Sequence, residues 1–96
     1  MPKLSDDEIR AGLPEGWSFD GTGIRKEYVF KGFRAAIAFV NRLADKAHEA
    51  KHHPDLWNSY NRVVVLLTTH DEGGVTEKDL ALAAEIESVA EPPTEG

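Results

Sequence analysis

From Phe33 onward, apolar side chains recur at three- and four-residue steps: Phe33, Ala36, Ile37, Val40, Leu43, Ala44 and Ala47, with Arg34, Asn41, Arg42, Asp45 and Lys46 opposite. A stripe of that period is the buried face of an amphipathic helix. The helix should fade near Ala50 to His52, because Pro54 disfavours the α conformation at His53 and has no N–H to donate. Earlier in the chain the period is two. Trp17-Ser18-Phe19 and the run Ile24 to Phe30 alternate apolar with polar positions around Gly21-Thr22-Gly23, which predicts a β-hairpin. Ser5 followed by Glu8 reads as a capping box and Gly12 as a stop, so a short helix is expected over Asp6 to Ala11.

Beyond Pro54, Leu56-Trp57-Asn58 reads as a short strand. The segment Arg62 to His70 is β-branched and apolar enough for a strand buried on both faces, and its alternation sets His70 on the face of Thr68 and Leu66. Gly73-Gly74 turns the chain, and Thr76 caps a last helix whose buried side is drawn from Leu80, Ala83, Ala84, Ile86 and Val89. Residues 91–96, with two prolines, read as a frayed tail, leaving 1–90 as one domain. The order α-β-β-α-β-β-α favours an α+β fold, a four-stranded antiparallel sheet with helices packed on one face. The uncovered face and the doubly apolar run Val63 to Leu67 call for a second subunit, so a homo-oligomer is expected.

Composition narrows the classes. Ninety-six residues suit one core and not two. Eleven basic against seventeen acidic residues, a net charge of −6, disfavour a phosphate-neutralising surface, so no direct nucleic-acid binding is expected. The absence of cysteine excludes disulfides, thiolate zinc sites and a cysteine nucleophile, and suits a cytoplasmic location. The polar start Met1 to Asp7 has no hydrophobic targeting region and no apolar run approaches the roughly 18 residues that span a bilayer, so neither secretion nor membrane association is expected.

The four histidines are His48, His52, His53 and His70, three of them within six positions. Imidazoles at that density point to proton transfer or to a metal. A single histidine at a helix end is more often a cap or a dipole partner. His48-Glu49-Ala50-Lys51-His52 also satisfies the H-E-x-x-H pattern of zinc hydrolases. Pro54 follows too closely for both histidines to sit well on one helix, and the chain is short for a protease cleft with a third ligand; this reading ranks last and no metal is expected. Asp79, three residues after Thr76, suits a helix cap, which is compatible with orienting a histidine as well. Trp57 and Tyr60 read as core or interface aromatics.

The spacing of His48, His52-His53-Pro54, Tyr60, His70 and Asp79 resembles the signature of the pterin-4a-carbinolamine dehydratases, and Asn58, Asn61 and Thr69 are similar to that family too. The resemblance implies the α+β fold above, assembled into a homodimer or homotetramer through the sheet and neighbouring elements. It implies elimination of water from a 4a-hydroxytetrahydropterin to give the quinonoid dihydropterin, in tetrahydrobiopterin recycling, with no external cofactor. By resemblance His52, His53 and His70 are catalytic. His52 and His70 would form the acid/base pair, and His53 would hold the pterin or the departing hydroxyl. The pterin substrate would lie against His48, Lys51, His52 and His53 and the strand end Thr68, Thr69, His70 and Asp71, with Pro54 and Asp79 in support. Two positions depart from the family's habit: His48 stands where an acid is common, and Lys51 where a small acid is familiar. Some relatives of this family serve as dimerisation partners or assembly factors, so a non-catalytic module of the same fold is the alternative.

Overall fold

Local signals start most of the elements. In the computed structural model, which describes residues 2–90, Ser5 Oγ accepts the Glu8 N–H at 3.1 Å and Glu8 Oε1 accepts the Ser5 N–H at 2.9 Å. That reciprocal cap begins α1 (Asp6–Gly12). Strands β1 (Ser18–Phe19) and β2 (Ile24–Val29) are joined by a turn in which Asp20 Oδ1 accepts the N–H groups of Thr22 and Gly23, both at 2.9 Å. A Cβ on Gly23 would lie 2.7 Å from the carbonyl oxygen of Leu67, so only glycine lets the chain enter β2 that close to its neighbour.

Helix α2 (Phe33–Ala50) stops where Lys51 turns left-handed, with φ 54° and ψ 40°. The N–H groups of Lys51 and His52 bond back to the carbonyls of His48 and Ala47, both at 3.1 Å. The helix end therefore satisfies itself and throws His52 off the helical path. Strands β3 (Asp55–Ser59) and β4 (Arg62–Leu67) follow, joined by a turn at Tyr60, and α3 (Glu77–Ala90) closes the described chain. The tail 91–96 lies outside the described residues.

The strands form an antiparallel sheet in the order β1-β2-β4-β3, and the element order α-β-β-α-β-β-α is the expected α+β one. Cross-strand partners put Ile24, Lys26 and Tyr28 on one face with Leu67, Val65 and Val63. Those apolar side chains pack with Phe39 and Leu43 of α2 and Leu82 and Ile86 of α3, which is where the core sits. Val64 and Leu66, on the other face of β4, are only partly buried, so within one chain that strand is covered on one side.

Three expectations change in detail. The helical period of α2 holds but its phase does not: the buried positions are Ala36, Phe39, Leu43 and Ala47, whereas Phe33 is 50% exposed and Ala44 is exposed. Phe39 decides the phase, because its ring meets Tyr28 at 4.7 Å and Phe30 at 5.0 Å between centroids. In α3 the buried apolar side is Leu82, Ala83, Ile86 and Ala90, with Leu80 and Val89 at its margin and Ala84 exposed. Strand β4 ends at Leu67 and not at His70. Thr69 pairs with Gly74 across a small loop, closed by a 3-10 turn at His70–Glu72 and by left-handed Gly73 (φ 77°), so the alternation does not reach His70.

At the far end of α3, Glu87 Oε2 accepts from Lys26 Nζ at 2.7 Å, from Trp17 Nε1 at 3.1 Å and from the Tyr28 hydroxyl. Burial raises the Glu87 pKa, but those three donors outweigh it and leave the carboxyl below its ordinary 4.5. The Tyr28 hydroxyl is pushed up, by burial first and by its bond to Glu87 second. A carboxyl depressed in the folded state stabilises above its unfolded pKa, and that contribution is lost as pH falls through the lower folded value. Glu87→Gln should therefore cost about 1–2 kcal/mol in urea unfolding at pH 7, with the gap to wild type narrowing as pH drops below about 4. A gap that widens on acidification would contradict this assignment.

Candidate active site

Asp79 is completely buried in the first turn of α3. Its Oδ2 accepts the Thr76 N–H at 2.9 Å and the Thr69 hydroxyl at 2.7 Å, while its Oδ1 lies 2.5 Å from His52 Nε2. Thr76 Oγ1 is 2.9 Å from Thr69 Oγ1 and accepts the Lys78 N–H at 3.2 Å. The polarity of the chain follows from acceptor chemistry. An ionised carboxylate only accepts, so Thr69 spends its proton on Asp79, and Thr76 must donate to Thr69. By the same rule His52 donates from Nε2 to an ionised Asp79, which leaves Nδ1 outside this network. Among the described residues no buried side-chain nitrogen or oxygen lacks a partner.

Beside this network lies an open cavity of about 260 Å³, lined by Lys51, His52, His53, Thr68, Thr69, His70, Asp71 and Lys78. It is slightly smaller than the roughly 300–1,000 Å³ usual for small-molecule clefts, a size for a compact ring system. The segment after α2 supplies Lys51, His52 and His53. The end of β4 and its 3-10 turn supply Thr68 to Asp71, and α3 supplies Lys78. Thus the adjacent pair His52-His53 and the distant His70 line one cavity, with His52 and Thr69 buried and His53 and His70 exposed.

His48 lines a different hollow of about 470 Å³ between α2 and β3, together with Leu43, Ala44, Asp45, Ala47, His53, Pro54 and Leu56. Only His53 lines both. Asp79 stands behind the cavity wall, holding His52. Trp57 and Tyr60 are 51% and 65% exposed, which removes them from the core, and neither lines the cavity. Lys78 is the lining residue that the motif spacing did not bring forward. Its position directly before Asp79 was the available signal.

The H-E-x-x-H match has no zincin geometry. His48 lies on α2, whereas His52 follows the left-handed Lys51 and already gives Nε2 to Asp79. Among the described residues no group of three or more His, Asp or Glu could hold a metal ion. No helix among them is long and apolar enough to cross a membrane.

A family model described as Pterin 4 alpha carbinolamine dehydratase matches residues 2–89. The chain belongs to the pterin-4a-carbinolamine dehydratase family. That family is named for a hydro-lyase activity. A relative from Thermomicrobium roseum, named "Putative pterin-4-alpha-carbinolamine dehydratase", is 51% identical over 92 residues, covering 94% of this chain and 99% of its own. One of the same name from Sulfolobus acidocaldarius is 47% identical over 89 residues, covering 91% of this chain and 98% of its own. Among solved structures, a transcriptional coactivator/pterin dehydratase from Brucella melitensis superposes with a TM-score of 0.86 at 37% identity, over 93% of this chain and 99% of that one. A pterin dehydratase-like RuBisCO assembly factor of the alpha-carboxysome has a TM-score of 0.70 at 22% identity, over 82% of this chain and 94% of that one, and shares the fold.

Removing Asp79 strands three buried donors at once, a cost larger than that of one lost hydrogen bond. Asp79→Ala should lower the unfolding free energy by about 2–4 kcal/mol, against about 1 kcal/mol for Thr69→Val, in denaturant titrations with unchanged slope. Equal losses in the two variants would mean that the carboxylate is not the hub.

Proposed function

We propose that this chain dehydrates a 4a-hydroxytetrahydropterin to the quinonoid dihydropterin by histidine acid/base catalysis, serving tetrahydrobiopterin recycling. The observation that carries the reading is the convergence of His52, His53 and His70 on one cavity, with His52 oriented by a buried carboxylate. Elimination needs a proton removed from N5, the C4a–oxygen bond broken, and a proton delivered to the departing hydroxide so that water leaves. His52 takes the N5 proton at Nδ1, and the imidazolium that forms is stabilised by Asp79 through Nε2–H. His70 protonates the leaving oxygen, and His53 holds the ring or the hydroxyl. The lining segment Thr68 to Asp71 lies beside them to meet the pterin's amide edge, with the Thr69 hydroxyl turned to Asp79. No external cofactor enters this scheme.

The functional unit in this reading is a homodimer or homotetramer. Support comes from the large apolar side chains left open on one chain: Val29, Phe33, Leu56, Trp57 and Tyr60 are all at least 44% exposed. Every residue of β3, at the sheet edge, is exposed. Sedimentation should give a mass of two or four chains, reduced by Trp57→Lys combined with Leu56→Lys; a monomer at micromolar concentration would exclude this assembly.

Freshly generated 4a-hydroxytetrahydropterin tests the activity. Dehydration should exceed the buffer rate, and His52→Ala and His70→Ala should each lose roughly 10²–10⁴-fold in kcat. Rates equal to buffer for the wild-type protein, in a properly folded preparation, would leave the non-catalytic interaction module as the better account.

A further inference from the structure

We propose that Thr76 is a positioning residue of the histidine cavity: through the Thr69 hydroxyl it draws the charge of Asp79 towards Oδ2, and so sets how firmly Oδ1 holds a protonated His52. The proposal rests on the dehydratase reading above and concerns how the base of that site is tuned.

Thr76 starts α3 as a helix cap does. Its Oγ1 accepts the Lys78 N–H at 3.2 Å, and its own N–H goes to Asp79 Oδ2 at 2.9 Å. Such a cap asks the side chain only for an acceptor, so the hydroxyl proton is surplus to it. At a solvated helix start water takes that proton. Thr76 is completely buried, and the oxygen its hydroxyl meets is Thr69 Oγ1 at 2.9 Å. Thr69 passes its own proton to Asp79 Oδ2 at 2.7 Å. Two hydroxyls therefore stand in series, and the series ends on the carboxylate oxygen that does not face the imidazole.

Hydrogen bonds in series polarise one another, so a donor to Thr69 strengthens the bond from Thr69 to Asp79 by roughly 10–30%. Charge held at Oδ2 is less available at Oδ1, which lies 2.5 Å from His52 Nε2. Cutting the series frees the carboxylate to stabilise the imidazolium, and the His52–Asp79 pair then keeps its proton to higher pH. A base that stays protonated cannot act, so the acidic limb of the rate profile moves upward. The charged and titratable groups around His52 are Asp79 and Lys78 of α3, Lys51 and His53 on its own segment, and His70 and Asp71 on the 3-10 turn, with His48 of α2 in the next hollow. Substituting either threonine leaves all of them in the chain, so the shift reads the relay.

Dehydration of 4a-hydroxytetrahydropterin, followed as kcat/KM against pH, tests the relay. The acidic limb should rise by about 1 pH unit in Thr69→Val and by about 0.3 in Thr76→Val, and should stay in place in Thr76→Ser. The alkaline limb should not move in any of them. In Thr69→Val/Thr76→Val the acidic limb should lie where Thr69→Val alone puts it, even though loss of the cap lowers stability further. If Thr76→Val does not fold, Thr76→Gly removes the hydroxyl at the smallest capping cost and is read in the same way. An acidic limb that Thr76→Val leaves unmoved while stability falls makes Thr76 a cap alone, and a further shift in the double variant means that it acts by another route; either overturns the proposal. The ¹⁵N signals of the His52 imidazole, titrated without substrate, read the same displacement independently of turnover. Displaced signals in a protein that dehydrates nothing would keep the relay and remove the dehydratase reading. Turnover with the limb and the signals unmoved would remove the relay and leave the dehydratase reading standing.

Discussion

The structure depends on one buried carboxylate being fully paired. A charge out of water is tolerated only when hydrogen bonds replace its hydration, and Asp79 obtains three, from a loop amide, a hydroxyl at the end of a strand and an imidazole beyond a helix. Each donor comes from a different part of the chain: Thr76 before α3, Thr69 after β4 and His52 after α2. A missing partner would leave a stranded polar group, so the three segments favour one another's docking. The requirement that satisfies Asp79 also brings together the walls of the cavity.

Helix α3 is pinned by a carboxylate at each end, and the two differ in exposure. Glu87 draws side-chain donors from the Trp17 region and from β2, fixing the helix against the sheet at a partly solvated position. Asp79 fixes the other end where water is excluded. Between them Leu82, Ala83 and Ile86 pack into the core, so the helix cannot slide without breaking both anchors and the apolar contacts together. The left-handed Lys51 performs the complementary task for α2, ending it so that its next residue reaches Asp79.

How much of this was legible in the sequence depended on whether the signal was local. The capping box at Ser5 and Glu8, the helix stop before Pro54, the hairpin glycines and the order of elements are local, and the structure has them. The phase of α2 was not local. Phe39 lies between Tyr28 and Phe30, and only the tertiary arrangement distinguishes it from Phe33, which is apolar at an equally plausible position. The end of β4 was hidden for the same reason, since Thr68 and Thr69 have strand-like side chains but spend them on Thr22 and Asp79. The motif spacing joined residues with different placements. His52, His53 and His70 line the cavity, Asp79 stands behind it, His48 lines the next hollow and Tyr60 makes a turn. Spacing along a chain does not separate a residue that faces a cavity from one that shapes the fold around it, whereas burial and hydrogen-bond partners do.

Three imidazoles lining one cavity would be chemically interchangeable if their surroundings were alike, and they are not. His52 is buried with one nitrogen committed to an anion, while His53 and His70 are exposed. A base must be neutral before the reaction and charged after it, which suits the imidazole whose cationic form already has a carboxylate waiting. An acid must hold its proton beforehand and regain it between turnovers, which suits a group in contact with solvent. In the proposed elimination this asymmetry favours one direction: the N5 proton would pass to His52, and the proton that releases water would arrive from the open side. Had Asp79 been paired with His70 instead, the same three histidines would favour the opposite polarity.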